Sequence, residues 1–361
     1  MEKGLVSIII PMYNASKYIG EMIESILNQT YKFWELWIVD DASTDYSVDR
    51  VNSYVNSDNR INIISSIENC QHGAAFCRNE GLKRAKGEYI MWLDADDIIA
   101  DYCVEQRVAY MQSNLNVDFA VFPMVAFKSV PFDAPRNLVW GYKCDNVLSD
   151  LISGDPLPFV VVTNIYRSES LFKHNVSWDV NLSSYQDRDF NINAILSGLN
   201  FSVTNLKPDY FYRIAIDDSI CSKINTSKHF KSRNYYINKL SGSDLLVGMY
   251  RKELMILTSS LFGILLKDSN YDHLKLFLSL PVFNKKLLLK LKLKILYWLH
   301  IRFNTISEFK KFILKMMLCP IFEYRRYNHL KKGISRNNIL YQELKTLYKA
   351  SVLSSLNSLK Y

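Results

Sequence analysis

The 361-residue sequence predicts a doubly wound, mainly parallel α/β sheet (Rossmann-like), followed by a helical C-terminal region. Three observations lead to this fold class. Short apolar runs alternate with amphipathic segments over residues 1–100, which is the order of strands and helices in a parallel sheet. Three of these runs end in polar clusters. In the last third of the chain, apolar residues recur at helical spacing, as in residues 308–318.

The first predicted strand and helix have clear local signals. Residues 6–10 form a short β-branched run, and Pro11 predicts that the strand ends there. Residues 13–16 are typical of a turn that leads into a helix cap. An amphipathic helix is predicted over residues 18–29, because apolar residues recur at i, i+3, i+4, i+7 and i+8. These residues are Ile19, Met22, Ile23, Ile26 and Leu27.

The same alternation continues to residue 100 and then weakens. Further strands are predicted over residues 34–39, 61–64 and 89–93. Further helices are predicted over residues 46–55 and 73–85. Beyond residue 100, the run 118–127 resembles one strand. Four prolines within residues 131–158 predict loops around a short helix near residues 147–152.

The segment Asp94-Ala95-Asp96-Asp97 follows the apolar run 89–93 and places three carboxylates within four residues. Like charges this close repel one another and raise one another's pKa. A bound divalent cation would remove the cost of this repulsion. Carboxylate oxygens beside open coordination positions suit Mg²⁺ or Mn²⁺ holding a diphosphate. The alternative is a solvated acidic turn without a ligand.

Two other polar clusters, residues 11–14 and 40–45, also follow predicted strands. In doubly wound sheets, ligands bind in the crevice beyond the carboxyl ends of the strands, so these clusters can share one crevice. The candidate binding residues there are Pro11, Tyr13, Asn14, Asp40, Asp41, Ser43, Gly73, Arg78, Asp94 and Ala95.

Each side-chain type suits part of a nucleotide ligand. The Tyr13 ring can stack on a base, a contact worth about 1–3 kcal/mol in nucleic-acid complexes. Asp40 can accept hydrogen bonds from a base edge or a ribose hydroxyl, and Arg78 is a permanent cation for a diphosphate. Gly73 permits close backbone approach. The alternatives are structural: an aromatic at the core edge, a helix cap at Asp45 and a turn glycine.

Two segments carry a family resemblance, VSIIIPMYNASKYIGEMIESILNQTYKFWELWIVDDASTD and HGAAFCRNEGLKRAKGEYIMWLDADD. They resemble the family 2 glycosyltransferases, which have a GT-A fold. The resemblance is clear over residues 5–100 and weaker to about residue 222. The stretch 69–73 and Cys77 depart from the family pattern.

The resemblance implies a role for several candidate residues. Positions equivalent to Pro11, Tyr13 and Asp40 hold a uracil-type base in that family. By the same resemblance, Asp94 is expected to hold the ribose and Asp96 the metal, Mn²⁺ or Mg²⁺. Arg78 is expected near the nucleotide.

The residues 184–190 resemble the helix start that carries the catalytic base in this family. Gln186 replaces the usual Glu, and Asp187 aligns with the base. An inverting transfer needs one carboxylate to take the acceptor hydroxyl proton, and a helix N-terminus stabilises an ionised carboxylate. Asp189 is the alternative base and would point about 200° away on a helix. Either Asp could instead cap the helix.

Residues 209–222 resemble the block that often closes over the donor diphosphate in this family. Arg213 is therefore a candidate phosphate contact, with a surface cation on a strand as the alternative. The Gln-x-x-Arg-Trp motif of processive polysaccharide synthases is absent from the sequence. We therefore expect a single sugar transfer per encounter.

Cysteine usage and hydropathy indicate a reducing compartment and no spanning segment. Six cysteines are scattered without CxxC spacing, so neither a zinc site nor a disulfide framework is expected. The apolar stretch 5–10 is too short for a signal peptide. The apolar stretch 254–266 is 13 residues long, short of the ~20 residues that span a bilayer.

The charged residues are distributed unevenly along the chain. Residues 1–250 carry 23 Lys+Arg and 30 Asp+Glu, whereas residues 251–361 carry 21 and 6, a net charge of +15. Basic, Leu-rich segments such as 287–298 and 308–318 favour peripheral contact with an anionic membrane. The alternative is a helical subdomain packed on the catalytic domain. No nucleic-acid recognition motif is present, so no nucleic-acid partner is expected.

These observations define one functional hypothesis. Residues 1–225 would form the catalytic domain, with a nucleotide-binding half (1–100) and an acceptor half (101–225), and residues 226–361 the basic helical region. The chain would be a metal-dependent, inverting hexosyl- or N-acetylhexosaminyltransferase on the cytoplasmic face of the membrane. It would move one sugar from a UDP-sugar to a growing surface glycan or lipid-linked saccharide. The alternatives are a nucleotidyltransferase and a non-catalytic scaffold.

Overall fold

Two β-sheets with helices against them make up the described part of the chain. The computed structural model describes residues 1–65, 72–134, 138–153, 157–214, 227–268, 271–283, 290, 291, 293, 294, 297, 341–346 and 348. The strands are β1 (Glu2–Met12), β2 (Trp34–Asp40), β3 (Ile61–Ile64), β4 (Gly87–Trp92), β5 (Ile98–Ile99), β6 (Phe119–Val121), β7 (Met124–Phe127), β8 (Val139–Trp140), β9 (Asn164–Arg167), β10 (Phe201–Val203) and β11 (Tyr210–Arg213). The helices are α1 (Ile19–Leu27), α2 (Ser47–Val55), α3 (Ala74–Arg84), α4 (Cys103–Ser113), α5 (Val147–Ser153), α6 (Ser168–Lys173), α7 (Gln186–Leu196), α8 (Ser227–Ser241), α9 (Asp244–Met249), α10 (Arg251–Asp268) and α11 (Tyr271–Leu278).

The larger sheet has seven strands in the order β10-β6-β9-β4-β1-β2-β3. β9 is antiparallel to both of its neighbours, and the other adjacent strands are parallel. Successive residues of β1 face opposite layers, since Ile8 packs in the core with α1 and α4, and Ile9 packs in the core with α3. The predicted doubly wound, mainly parallel α/β fold is confirmed.

The predicted elements in residues 1–100 all exist, and after the first strand their ends lie within two residues of the prediction. β1 does not end at Pro11 but continues to Met12. The proline is tolerated because the last β1–β4 pair is Ile9 with Trp92, so Pro11 pairs with β2 alone. A strand side that faces no partner does not need the missing N–H.

The prediction of one strand over residues 118–127 is wrong. β6 and β7 are two short strands with Phe122 and Pro123 between them. β6 pairs with β9 in the larger sheet, and β7 pairs with β11 in a four-stranded sheet of order β5-β11-β7-β8. Both strands are fully buried, so the apolar run alone does not show where the chain changes sheet.

The C-terminal helices that the structure describes pack on the larger sheet. Residues of α8, α10 and α11 share one apolar core with α5, α7 and the β4 residue Trp92. Leu293 and Tyr297 are buried in the same core. The packed helical subdomain expected as one alternative is therefore observed for residues 227–268 and 271–283. The predicted domain boundary at residues 225/226 and the amphipathic segment 308–318 lie outside the described residues.

The apolar stretch 254–266 lies inside α10. Within the described ranges, no helix is both long and apolar enough to cross a membrane. The buried cysteines Cys77 and Cys103 are free thiols.

Candidate active site

The carboxyl ends of β1, β2 and β4 lie side by side, because these three strands are parallel neighbours. Tyr13, Asp40 and Asp94 therefore meet at one edge of the sheet, as the sequence predicted. Tyr13 is about half exposed, with a relative exposure of 48%, whereas Asp40 is buried. An exposed aromatic ring beside a buried carboxylate suits a planar ligand that stacks on one and bonds to the other.

Polar side chains tie the loop after β1 to the loop after β2. The Asn14 N–H donates to the Ser43 Oγ (3.0 Å), and the Thr44 N–H donates to the Asn14 Oδ1 (2.8 Å). Asn14 takes a positive φ of 48°, a conformation that Asn tolerates well. The Ser43 N–H donates to an Asp40 carboxylate oxygen (3.2 Å). Asn14 and Ser43 thus hold the loops that present Tyr13 and Asp40.

Asp41 holds the start of α3. Its carboxylate accepts hydrogen bonds from the backbone N–H groups of His72 (2.7 Å) and Gly73 (2.9 Å). Gly73 has a φ of +92°, and a Cβ there would meet no atom within 4 Å, so its backbone faces open space. Asp41 therefore fixes the direction of the helix that carries Arg78.

Arg78 joins the end of β4 to the start of α7. Its Nη2 donates to Asp94 (2.7 Å) and its Nη1 donates to the Gln186 side-chain oxygen (3.1 Å). The guanidinium also lies over the Trp178 ring, 4.4 Å from the centroid. Arg78 is 5% exposed, so its charge acts in a poorly solvated place. The side chain therefore brings the Asp94 cluster and the Asp187 helix into one site.

The carboxylates that follow β4 have different environments. Asp94 is partly exposed and bonded to Arg78. Burial and the neighbouring Asp94 raise the pKa of Asp96 to about 6. Asp97 is fully buried, and burial raises its pKa well above the usual range. It accepts hydrogen bonds from the Tyr210 hydroxyl (2.6 Å) and the Arg213 N–H (2.7 Å). Asp97 is therefore a structural residue.

The donor set at Asp94 and Asp96 suits a hard divalent cation. No group of three or more His, Cys, Asp or Glu side chains in the described ranges could hold a metal ion by itself. Mg²⁺ commonly binds one or two carboxylates and completes its shell with water and substrate phosphates. The raised pKa of Asp96 reflects a desolvated carboxylate beside a like charge, a cost that a cation would relieve.

β11 supports the Asp94–Asp97 segment from the second sheet. The Tyr210 hydroxyl accepts a hydrogen bond from the Asp94 N–H (3.2 Å) while it donates to Asp97. Arg213 donates from Nε to the Asp96 carbonyl oxygen (2.7 Å) and pairs with Glu21 (2.7 Å). Arg213 is 9% exposed, so it is not a surface cation. Its expected phosphate contact stays a prediction.

Asp187 lies in the first turn of α7, close to Arg78 and Asp94. Its Oδ1 accepts a hydrogen bond from the Val161 N–H (3.1 Å). Burial raises the pKa of Asp187, the Arg78 guanidinium lowers it, and Asp94 raises it further. The rival residue Asp189 is buried in an ion pair with Lys239 (2.7 Å). The two alternative bases therefore have different environments: Asp187 lies near Arg78 and Asp94, whereas Asp189 is paired with Lys239.

The helix α7 does not show a simple amphipathic pattern. Arg188, Asp189 and Asn191 are buried together with the apolar residues, whereas Leu196 is 44% exposed. These buried polar residues have partners on three neighbouring elements. Arg188 donates to the carbonyl oxygens of Leu151 and Ile152 in α5, Asp189 pairs with Lys239 of α8, and Asn191 accepts hydrogen bonds from Asn164 and Tyr166 of β9. Phe190 stacks on Trp178 at 4.5 Å and thereby places the helix beside Arg78.

Known proteins are similar to part of this sequence and share its fold. Residues 7–175 match the family described as "Glycosyl transferase family 2". WfgD of Escherichia coli, a UDP-Glc:alpha-D-GlcNAc-diphosphoundecaprenol beta-1,3-glucosyltransferase, is 34% identical over 187 residues, which cover 48% of this chain and 72% of WfgD. This chain belongs to glycosyltransferase family 2.

The chain spans less than two thirds of the length of another relative, and it also resembles a solved structure. TuaG of Bacillus subtilis, named a putative teichuronic acid biosynthesis glycosyltransferase, is 36% identical over 157 residues, or 42% of this chain and 60% of TuaG. The crystal structure of S. aureus TarS 1-349 superposes with a TM-score of 0.53 at 21% identity, covering 82% of this chain and 87% of the TarS 1-349 chain. This likeness shows the GT-A fold.

Sequence reasoning found the candidate ligands of this family 2 site but missed their supports. The roles of Tyr210 and Trp178 depend on residues far away in the chain, and no local pattern marks them. Gln186 replaces the usual Glu of the family pattern, but the sequence gives no signal for its bond to Arg78. The burial of Asp97 also has no local signal, because β11 produces it.

We expect Tyr210→Phe to loosen the Asp94–Asp97 segment. The change leaves a buried Asp97 oxygen and the Asp94 N–H without their shared partner, which costs about 1–3 kcal/mol. Urea unfolding should show this loss. Tyr46→Phe is the matched control, since Tyr46 is 79% exposed and should unfold like the parent protein. Equal stability of the two variants would contradict the bridging role.

Proposed function

We propose that this chain transfers one sugar from a nucleotide sugar, in particular a UDP-sugar, to a hydroxyl of a growing surface glycan or lipid-linked saccharide. One observation carries the proposal: Arg78 contacts both Asp94 and Gln186, next to Asp187. The residues expected to bind the donor and to accept the proton therefore lie in one site. The activities for which WfgD and TarS, a poly(ribitol-phosphate) beta-N-acetylglucosaminyltransferase, are named support the substrate classes.

In this proposal, the edge formed by β1 and β2 binds the nucleoside. Tyr13 stacks on the base, Asp40 bonds to it, and Pro11 lies beside them. The hydrogen bonds of Asn14 and Ser43 hold these two loops together before the donor arrives. A site organised in advance loses less entropy when it binds its ligand.

The diphosphate side of the donor would lie between Arg78 and the Asp94–Asp96 segment. Asp96, with Asp94 beside it, would hold Mn²⁺ or Mg²⁺. When bound, such an ion neutralises charge on the leaving diphosphate. Arg78 adds a fixed positive charge that needs no metal, and Asp94 keeps Arg78 oriented.

Asp187 would take the proton of the acceptor hydroxyl as the sugar is transferred with inversion. A general base works best when its pKa lies near the working pH, and burial moves the pKa of Asp187 in that direction. The hydrogen bond from the Val161 N–H holds one oxygen of the Asp187 carboxylate in place. Asp189 is paired with Lys239 and less suited to this role.

We expect Asp96→Asn to abolish metal-dependent nucleotide binding. Titration calorimetry of UDP, GDP, CDP and dTDP, with and without Mn²⁺, identifies the nucleotide that the parent protein binds. The same nucleotide should then show no Mn²⁺-dependent heat with the variant. Asp49→Asn changes an exposed Asp on α2 and should bind like the parent. Unchanged Mn²⁺-dependent binding in Asp96→Asn would refute the ligand role.

We expect Asp187→Asn to lower kcat by about 10²–10⁴-fold while UDP binding persists. In the parent protein, kcat should fall as the pH drops through the raised pKa of Asp187, because the base must be ionised. That acid limb should lie above the ordinary Asp value of about 3.9. Near-normal turnover in Asp187→Asn would move the role to another residue.

Peripheral membrane contact is the second part of the proposal. It rests on the net charge of +15 in residues 251–361, since each basic residue near an anionic surface contributes about 1 kcal/mol. This charge would hold the enzyme on the inner leaflet, near a lipid-linked acceptor. Co-sedimentation with phosphatidylglycerol vesicles, but not with phosphatidylcholine vesicles, is expected at low salt. Equal sedimentation with both would count against it.

A further inference from the structure

The segment that leads into α7 is held by a helix of the C-terminal region. Residues 179–187, here called the α7 entry segment, run from Asp179 to the candidate base Asp187. α8 lies against this segment and contacts it through Ser232, Arg233 and Lys239. Ser232 and Arg233 are buried, with relative exposures of 5% and 7%. These contacts connect the C-terminal helices to the position of the candidate base.

Ser232 accepts two backbone donors from the α7 entry segment. Its Oγ receives hydrogen bonds from the N–H groups of Ser183 (2.9 Å) and Ser184 (3.0 Å), and it lies 3.2 Å from the Ser184 carbonyl oxygen. Because both N–H groups bind the same oxygen atom, the backbone at Ser183 and Ser184 is held in one conformation. Both N–H groups are partly buried, and Ser232 supplies their acceptor, so the segment depends on this hydroxyl.

Tyr185 needs support because of its backbone conformation. It immediately precedes α7 and has a positive φ of 64°, a strained conformation for a residue other than glycine. The guanidinium groups of Arg188 and Arg233 each lie 4.8 Å from the centroid of its ring. Arg233 also donates from Nε to the Ser184 Oγ (3.1 Å). α8 thus supports the residue whose carbonyl oxygen accepts the Asp189 N–H in the first turn of α7.

Lys239 forms ion pairs with two carboxylates, one at the start of the α7 entry segment and one in the first turn of α7. Its Nζ pairs with Asp179 at 2.9 Å and with Asp189 at 2.7 Å. The pKa of Lys239 is raised by these two carboxylates, so the ammonium stays charged. One side chain of α8 therefore joins the start of the α7 entry segment to the first turn of α7.

We propose that α8 is the positioning element for the catalytic base, with Ser232, Arg233 and Lys239 as positioning residues. This inference rests on the proposed function, in which Asp187 accepts the acceptor proton. None of the three side chains needs to touch substrate. They fix the backbone from which Asp187 projects, and displacement of a catalytic group by about 1 Å can cost on the order of 10²-fold in rate. The C-terminal region would thus act in catalysis as well as in any membrane contact.

The test uses the full chain and two kinds of variant. Ser232→Ala and Arg233→Met remove buried contacts, and Lys239→Met removes a contact made by a side chain that is 39% exposed, so it leaves the core packing intact. Lys231→Met is the matched control, because Lys231 is an exposed cation on the same helix. Circular dichroism and thermal unfolding check that each variant folds. Hydrogen–deuterium exchange, UDP calorimetry and transfer kinetics are then compared.

We expect Ser232→Ala to raise amide exchange in peptides containing Ser183 and Ser184 by at least about tenfold, and Lys239→Met to raise it over residues 179–189. In both variants kcat should fall by about tenfold or more, while the dissociation constant of UDP stays within about twofold of the parent value. Arg233→Lys should recover part of the kcat lost in Arg233→Met. Lys231→Met should match the parent protein in every measurement.

Unchanged exchange over residues 179–189 in Ser232→Ala and Lys239→Met would overturn the proposal, as would a normal kcat in both. A loss of UDP affinity equal to the loss of kcat would also overturn it, since that pattern indicates general damage to the site. If the parent protein transfers no sugar, the proposed function fails by itself. The exchange measurements then decide separately whether α8 holds the α7 entry segment.

Discussion

The buried ion pair between Arg107 and Asp209 is the contact on which the arrangement of the site depends. Both side chains are fully buried, and Arg107 also donates to the carbonyl oxygens of Val162 (3.1 Å) and Asn164 (3.2 Å). Arg107 on α4 thereby joins β9 of the larger sheet to the start of β11 in the smaller one. Loss of one partner would leave a buried charge unpaired, a defect that costs about 3–5 kcal/mol.

The position of β11 then determines the environment of the carboxylates. Tyr210 follows Asp209 directly, and its hydroxyl lies between the Asp94 N–H and Asp97. Arg213, at the end of the same strand, bonds to the Asp96 carbonyl oxygen. Successive acidic residues therefore acquire separate functions: one carboxylate pairs with Arg78, one can face a cation, and one fastens the second sheet. This division explains why so dense an acidic cluster is tolerated without destabilising the fold.

The helix α7 connects the candidate active site to the C-terminal helices. Its first turn carries Asp187 towards Arg78, its Phe190 stacks on Trp178, and its Asp189 pairs with Lys239 of α8. A helix enclosed on so many sides cannot show a simple amphipathic pattern, since polar residues are buried wherever a partner exists. The same enclosure gives a candidate base with a raised pKa, because Asp187 lies where solvent is scarce.

The sequence by itself determined the strands and helices of residues 1–100 and the edge at which Tyr13, Asp40 and Asp94 meet. Local periodicity specifies an element, and parallel strands necessarily bring their carboxyl ends to one edge. Only the tertiary structure decided which residues pair across the chain. The Arg78–Gln186 contact spans 108 positions and the Tyr210–Asp97 contact spans 113. The tertiary structure also decided that residues 118–127 are divided between two sheets. Such pairs depend on how distant elements pack, and that information is not present in any local stretch of sequence.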